Sequence, residues 1–180
     1  PNDSLRQSLA RLSSGNRINS PADDAGGLAV AYKLSSKLNR SEAVVQNAQN
    51  SLSYLQVQDA SLQSVGKILD RMAELRTMAQ DITKNTQDIE NYSKEFIELQ
   101  SQLNQIKQED FNGISLFSSQ SSSLTGTLIQ NSAVQVTTAG GQVVTYEKYG
   151  RTLITHPSGV NTMGSISVNV VNLQFVLSIG

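Results

Sequence analysis

Cysteine and tryptophan are absent from this 180-residue chain, and it contains three prolines and one histidine. The lack of cysteine excludes disulfides, cysteine-ligated metals and thiol catalysis. No zinc, calcium or phosphate-loop spacing is present, so we predict neither an enzyme nor a bound cofactor or metal. The net charge is −1, and basic residues are interspersed with acidic ones, which argues against nucleic acid or a membrane surface as a partner. No apolar run approaches the ~18 residues that a transmembrane helix requires.

Apolar residues make up 38% of the chain, and only five tyrosines and four phenylalanines are among them. The core must therefore be thin and built from leucine, valine, isoleucine and alanine. Such a composition favours long helices packed along a seam over a thick globular centre.

The N-terminal residues predict two helical stretches joined by a polar segment. Leucines at positions 5, 9 and 12 have the spacing of a short amphipathic helix. Residues 13–20 follow as a joint that contains Gly15 and Arg17. Ser20 is suited to cap a second helix, with Pro21 at its first position and Asp23 facing the free amides, and this helix runs to about residue 40. The glycine pair at 26–27 is consistent either with close packing of a neighbouring helix or with a flexible connection.

A heptad pattern without proline extends from residue 41 to about residue 82. Ala48, Leu55, Leu62 and Leu69 recur every seven residues, and Val65, Met72 and Ala79 form a companion row. A repeat of seven keeps one stripe facing a partner helix, as in a coiled coil or long bundle. At 1.5 Å per residue this segment predicts a rod of roughly 60 Å.

A second seam follows a polar turn at residues 81–88. Its members are Ile89, Tyr92, Phe96, Leu99, Leu103 and Ile106, at spacings of three and four. The short link favours antiparallel packing of this helix on the long one. The seams can pack on each other, and we expect them also to join neighbouring chains.

The periodicity changes from helical to strand-like after residue 108. An Asn-Gly pair at 112–113 predicts a hairpin turn, and residues 118–123 are a Ser/Gln linker. Short strands are predicted at 124–129, 133–138, 142–149, 152–155 and 166–177, separated by Gly and Pro. The predicted fold class is α+β, an antiparallel helical rod followed by a β-rich segment. We divide it into an N-terminal helix and joint (1–40), a helical rod (41–117) and a β-rich outer segment (118–180).

Three segments resemble the N-terminal region of bacterial flagellins. Residues 11–27 read R-L-S-S-G-N-R-I-N-S-P-A-D-D-A-G-G, which is similar to the family signature over nearly its whole length. Residues 69–75, L-D-R-M-A-E-L, look like the family's L-x-R-V-R-E-L, with Ala73 in place of the second arginine. Residues 110–117, D-F-N-G-I-S-L-F, are similar to the segment where the family's rod passes into a β-hairpin.

The resemblance implies a structural subunit of the extracellular flagellar filament that forms a homopolymer. In that family the subunits are exported, with an export chaperone and a filament cap as partners. It also implies that the chain lacks its family's C-terminal helix and the first residues of the N-terminal one, so we expect a fragment. Helix and subunit packing are assigned to Ala48, Leu55, Leu62, Val65, Leu69, Met72, Tyr92, Phe96, Leu99, Leu103 and Ile106.

Arg71, Glu74 and Leu75 correspond, by the resemblance, to the patch that an innate-immune Toll-like receptor detects on many flagellins. The alternative is that Leu75 belongs to the bundle seam and the two charged residues make subunit contacts. Two other functions stay open: a hook–filament junction protein with a similar rod, and a glycan-binding module on a coiled-coil stalk.

Overall fold

The structure, a computed structural model, describes residues 2–19, 24–118, 129–137 and 140–173. It confirms the predicted α+β class, with a helical rod that precedes a β-rich segment. The helices are α1 (Asn2–Ser14), α2 (Ala25–Ala79) and α3 (Thr86–Lys107), with a short 3₁₀ helix at Asn161–Met163. The strands are β1 (Asp110–Phe111), β2 (Ile114–Ser115), β3 (Phe117–Ser118), β4 (Ile129–Thr137), β5 (Val143–Ile154) and β6 (Ser165–Asn172).

Helix α1 ends at the predicted joint. Gly15 adopts a φ of 68°, and its N–H donates to the Arg11 carbonyl at 3.0 Å. This left-handed position satisfies a free carbonyl of the last turn, and glycine adopts it without a Cβ penalty. Arg17 follows in the joint with its side chain exposed.

Helix α2 begins at Ala25, later than predicted, and it is a single helix where the sequence predicted two. Ser20, Pro21 and Asp23 lie outside the described residues. The cap is instead Asp24, whose carboxylate accepts from the Gly27 N–H at 2.8 Å. A Cβ at Gly27 would collide with that carboxylate, so this glycine leaves room for the cap. Because α2 is continuous through residue 40, no backbone break marks the proposed domain boundary there.

The 55 residues of α2 give a rod of about 80 Å. The chain turns back through residues 80–85, close to the predicted turn. Asn85 caps α3 in a capping box, because its side chain accepts from the Asp88 N–H while the Asp88 carboxylate accepts from the Asn85 N–H. Within the turn, the backbone N–H and hydroxyl of Thr83 donate to Asp81 and hold the pKa of that carboxyl below its usual value.

The β-rich segment opens with the predicted hairpin. Strands β1 and β2 pair antiparallel around Asn112 (φ 52°) and Gly113 (φ 73°), the left-handed pair that a two-residue hairpin turn requires. A four-stranded sheet follows in the order β3-β6-β5-β4, with β3 parallel to β6 and the other pairs antiparallel.

Two predicted strands, 142–149 and 152–155, form the single strand β5. Gly150, expected to separate them, lies within the ladder opposite Asn169. Strands β4 and β6 cover most of the predicted strands at 133–138 and 166–177. The prediction at 124–128 and most of the 118–123 linker lie outside the described residues.

The core lies where the rod meets the sheet. Leu116 and Leu173 are fully buried there, with Phe117 and Val168 beside them and Tyr54, Val65 and Leu103 contributed by the helices. One core therefore joins α2, α3 and the sheet, while the N-terminal half of α2 contributes no buried residue to it.

Candidate assembly surface

One face of the C-terminal half of α2 is covered by the rest of the chain. Tyr54, Gln58, Val65 and Leu75 are the buried residues of this helix, and Ile68 and Met72 are partly buried against them. They belong to one row with alternating spacings of four and three, which keeps them on a single face. This inner stripe consists of Tyr54, Gln58, Ser61, Val65, Ile68, Met72, Leu75 and Ala79.

A second row on the N-terminal half of α2 has the same periodicity but faces solvent. Leu38 is 60% exposed and Val45 56% exposed, and the other large apolar members are exposed as well. We call this row the outer stripe; it consists of Leu34, Leu38, Ser41, Val45, Ala48, Leu52 and Leu55. An apolar row of this length is typical of a helix that packs against another helix, so the outer stripe is a candidate assembly surface.

The predicted packing residues divide between the two rows. Val65 is buried, and Leu62, Leu69 and Met72 are partly buried against the core. Ala48 and Leu55 belong to the outer stripe and are exposed. The N-terminal end of the predicted heptad row, Ala48 and Leu55, therefore does not form the intramolecular seam. The buried row lies one position earlier in the sequence, at Tyr54 instead of Leu55. Subunit packing by these residues stays a prediction.

The predicted row on α3 faces α2. Leu103 is buried, whereas Ile89 lies at the exposed end of the row. The remaining members, Tyr92, Phe96, Leu99 and Ile106, are half-buried. Helices α2 and α3 pack antiparallel, since Arg71 contacts Glu95 on α3 and Ser61 contacts Glu109, two residues beyond the end of α3.

Arg71 is the centre of a charged cluster on the rod. Its Nε donates to Glu95 at 2.6 Å, and its Nη1 donates to Glu74 at 2.9 Å. The hydrogen bond to Glu95, followed by that to Glu74, raises the pKa of Arg71. In return, the hydrogen bond from Arg71 lowers the pKa of Glu95. The two hydrogen bonds from Arg71 to Glu95 thus connect α2 to α3, while Glu74 holds the guanidinium from within α2.

The predicted receptor patch is only partly accessible. Arg71 and Glu74 present 43% and 64% of their side chains to solvent. Leu75 is 1% exposed and lies in the inner stripe, so it is not available as a surface contact in this fold. Glu95 on α3 takes part in the cluster instead, and no sequence pattern indicates it because it lies 24 residues from Arg71.

Acid should weaken the ion pair between Arg71 on α2 and Glu95 on α3. Because the folded-state pKa of Glu95 is below its unfolded value of about 4.3, its stabilisation is complete above that pH and lost as pH falls through the folded value. We expect Glu95→Gln to flatten the loss of thermal stability between about pH 6 and pH 3, measured by circular dichroism. Glu98→Gln on the same helix is the control, since Glu98 forms no ion pair among the described residues. Identical pH profiles for the parent chain and Glu95→Gln would contradict this account.

Two polar side chains that the sequence did not single out connect the rod to the sheet. Gln58 is 5% exposed, and its Nε2 donates to the carbonyls of Leu116 at 2.8 Å and Asn169 at 3.3 Å. The Tyr54 hydroxyl donates to the Ser115 carbonyl at 2.8 Å. Tyr54 and Gln58 are four residues apart, which places them on one face of the helix. A tyrosine and a glutamine are not recognisable in the sequence as members of an apolar row, however, so this spacing was not used.

Strand β5 contributes to the same junction. The Arg151 guanidinium lies 5.9 Å from the Tyr54 ring centroid and donates through Nη2 to the Ser115 carbonyl at 3.1 Å. The Phe111 ring meets the Tyr54 ring edge-on at 6.3 Å. These contacts hold the hairpin and the sheet against one turn of α2.

The only histidine, His156, lies in the loop before the 3₁₀ helix. Its Nδ1 accepts from the Ser158 N–H at 3.1 Å and lies 2.7 Å from the Ser158 hydroxyl oxygen, contacts that shape the turn. Across the described ranges, no three side chains of the types that ligate metals cluster together. Among the helices described, none combines the length and hydropathy of a membrane span.

Known proteins resemble the helical part of the chain. Residues 1–122 match the family model described as the bacterial flagellin N-terminal helical region. The chain is 33% identical over 121 residues to Flagellin 1 of Proteus mirabilis, an alignment that covers 67% of this chain and 33% of the relative. It is 34% identical over 116 residues to a flagellin of Listeria monocytogenes, which covers 64% of this chain and 40% of the relative. A flagellin of Serratia marcescens is 33% identical over 117 residues, covering 64% of this chain and 33% of the relative. The chain thus spans between a third and two fifths of the length of these curated relatives.

Proposed function

This chain belongs to the bacterial flagellin family through its N-terminal helical region, and we propose that it is a structural subunit of the flagellar filament. The family match covers α1, α2, α3 and the β1–β2 hairpin. The outer stripe is the observation that carries the proposal, because it is a long apolar row that the described chain leaves uncovered.

The geometry of the rod suits a polymer of identical chains. One half of α2 is packed within the chain, and the other half projects with its apolar row exposed. Contact between two different surfaces of successive copies generates an open helical fibre when the rotation from one copy to the next does not close a ring. A rod of about 80 Å offers such contacts along its length.

We place the assembled protein outside the cell, with an export chaperone and a filament cap as transient partners. These 180 residues contain no cysteine, so no disulfide within them needs to form or break during export. The chaperone and cap remain proposals that follow from family membership.

A Toll-like receptor is a further proposed partner. The surface offered to it would consist of Arg71, Glu74 and Glu95, which meet at the boundary of α2 and α3. Leu75 is withdrawn from this surface because it is buried. Stimulation of receptor-bearing reporter cells by the purified chain tests this contact.

Immunogold electron microscopy distinguishes the proposed function from its alternatives. Antibodies raised against the purified 180-residue chain are expected to label cell-surface filaments along their whole length in the cells that make it. Labelling confined to the base of each filament would indicate a hook–filament junction protein instead. Filaments without any label, on cells shown by immunoblot to contain the protein, would contradict the proposal. Cells deleted for the gene provide the control for antibody specificity.

A further inference from the structure

The turn of the β1–β2 hairpin contains an asparagine followed by a glycine, and this is the one such pair in the 180-residue sequence. Both Asn112 and Gly113 are exposed. An asparagine side chain can react with the backbone nitrogen of the next residue, which makes asparagine thermolabile. A following glycine leaves that nitrogen unshielded because it has no Cβ. The turn therefore presents a reactive amide at the surface.

The nitrogen that would react is not held by the ladder of the hairpin. The ladder pairs Phe111 with Ile114 and Asp110 with Ser115, so the Gly113 N–H lies beyond its last pair. This N–H donates instead to the side chain of Asp110 at 3.3 Å, a long hydrogen bond to an exposed carboxylate. A Cβ at Gly113 would meet no atom within 4 Å, so there is open space beside the turn in which a new ring can form.

We infer that Asn112 is a site of spontaneous deamidation in the folded chain, and that one of its two products releases the hairpin from the rod. In the first step the Gly113 nitrogen forms a bond to Cγ of Asn112, and the bond from Cγ to the side-chain nitrogen breaks. The proton of the Gly113 nitrogen leaves with the amide group as ammonia, and a five-membered succinimide ring remains. Water then opens this ring, so the overall reaction consumes a water molecule and releases ammonia.

The two products differ in the path of the main chain. Opening of the ring at Cγ gives aspartate at position 112 with the original backbone. Opening at the main-chain carbonyl carbon routes the backbone through Cβ and Cγ, which adds a methylene group to the turn. Aspartate before glycine favours the same two-residue turn as asparagine does, whereas the longer isoaspartyl backbone does not fit it. Only the isoaspartyl product is therefore expected to disturb the hairpin.

The hairpin transmits this disturbance to the core because its strands carry core contacts. Phe111 immediately precedes Asn112, and its ring meets that of Tyr54 on α2 edge-on at 6.3 Å. At the base of the hairpin, the N–H of the fully buried Leu116 donates to the Glu109 carbonyl at 3.2 Å. A longer turn changes the register of β1 and β2, and it thereby displaces Phe111 and Leu116 together. This inference concerns the hairpin alone and does not rest on the proposed function.

Another asparagine of the same chain provides an internal comparison. Asn50 is exposed and is followed by a small residue, Ser51. Both lie within α2, however, where the N–H of Ser51 donates to a carbonyl of the preceding turn. The attacking nitrogen is thus held in the helix at Asn50 but lies outside a regular element at Asn112.

Mass spectrometry of the purified 180-residue chain measures the reaction. The folded chain is kept in mildly alkaline buffer, and the amide content at Asn112 and at Asn50 is followed over days in digested samples. We expect the amide at Asn112 to be lost several-fold faster, and the rate to rise with pH because the attacking nitrogen must lose its proton. An endoprotease that cuts before aspartate distinguishes the products, since it cuts before position 112 in the aspartyl product and not in the isoaspartyl one.

Two variants separate the effects of the two products. Asn112→Gly removes the amide and keeps a dipeptide that favours the same turn, and Asn112→Asp reproduces the aspartyl product. Each freshly purified variant should unfold in a single transition, measured by circular dichroism. After incubation the parent chain should develop a second population that melts at lower temperature, with an amplitude equal to its isoaspartyl fraction. Incubated Asn112→Gly should develop none.

Three outcomes would overturn the inference. Equal retention of the amide at Asn112 and at Asn50 refutes the site. Loss of the amide at Asn112 only in urea-denatured chain shows that the folded turn protects it, which also refutes the site. Isoaspartyl chains that melt with the unmodified parent refute the effect on the core. None of these measurements depends on filament formation, so failure here is distinguishable from failure of the immunogold test of the proposed function.

Discussion

Replacing Leu116 by alanine is expected to lower the free energy of unfolding by about 3 kcal/mol, within the 2–5 kcal/mol range for buried leucines. Leu116 is 0% exposed and lies between the hairpin and the sheet, with Tyr54 and Leu103 of the helices in the same cluster. Shortening its side chain leaves a cavity that three separate elements border, so the site cannot easily collapse. Urea denaturation followed by far-UV circular dichroism measures the loss.

The same experiment tests whether rod and sheet share one core. The chain has no tryptophan, so Ile166→Trp at an exposed position of β6 adds a fluorescence probe of the sheet alone. If rod and sheet share one core, this fluorescence and the helical circular dichroism should report the same transition, and both should move together when Leu116→Ala is added. Leu52→Ala is the matched control, since Leu52 is exposed on α2 and its truncation should change stability by less than about 0.5 kcal/mol. A loss below about 1 kcal/mol for Leu116→Ala, or separate transitions for the two probes, would refute a shared core.

The sequence predicted the regular elements because each follows from local chemistry. The Asn-Gly pair at 112–113 specifies a two-residue turn whatever surrounds it, and the spacing from Tyr92 to Ile106 requires a helix. The capping box formed by Asn85 and Asp88 was equally local, and the S/T/N-x-x-acid pattern could have placed the start of α3 at Thr86.

The rows on α2 could not be separated in the same way. Two rows lie one position apart on this helix, and the predicted heptad row combines exposed residues of the outer stripe, Ala48 and Leu55, with half-buried residues beside the inner stripe, Leu62 and Leu69. Only tertiary packing decides which row is covered. The inner stripe is covered where α3 and the sheet lie against it, and it includes polar residues such as Gln58 and Ser61. The outer stripe is the more apolar row and yet the exposed one, so hydrophobicity alone ranks the two in the wrong order.

The start of α2 in the structure is capped by a residue that the sequence analysis did not choose, Asp24. Ser20 and Pro21 match the statistical pattern of a helix start, but Asp24 has the same capping chemistry and is followed by Gly27, which makes space for its carboxylate. The free energies with which two alternative N-cap residues stabilise a helix differ by less than about 1 kcal/mol. A sequence pattern therefore does not decide between two caps that lie a few residues apart. Strand β5 passes through Gly150 because the ladder to β6 continues there, a long-range effect.

Gln58→Glu is expected to destabilise the chain by up to about 4 kcal/mol at pH 7, which is the cost of keeping a carboxyl group with a normal pKa near 4.3 protonated at that pH. The side chain of Gln58 donates to two carbonyl oxygens inside the junction. A carboxylate there has no proton to donate and faces those oxygens with like partial charge. The folded state therefore favours the protonated acid, which donates one hydrogen bond.

The pH dependence gives this prediction its sharpest form. Because burial raises the folded-state pKa of the new carboxyl above its unfolded value, the variant should approach parental stability below about pH 4.3 and lose it as pH rises. Gln58→Met, which removes the donor without adding charge, should cost about 1–3 kcal/mol independently of pH. At pH 7 the order of stability is therefore parent, then methionine, then glutamate, and near pH 4 the last two should converge or exchange places.

Urea denaturation of the three proteins at both pH values decides between these accounts, with Gln49→Glu on the exposed side of α2 as the control for an added carboxylate. If Gln58→Glu is no less stable than Gln58→Met at pH 7, the carbonyls of Leu116 and Asn169 do not depend on this donor. In that case the junction is held by its apolar contacts and by Tyr54 and Arg151. If the predicted order is found, a single amide fixes the turn of α2 on which the sheet sits, and thereby fixes how much of the helix extends beyond it with the outer stripe exposed.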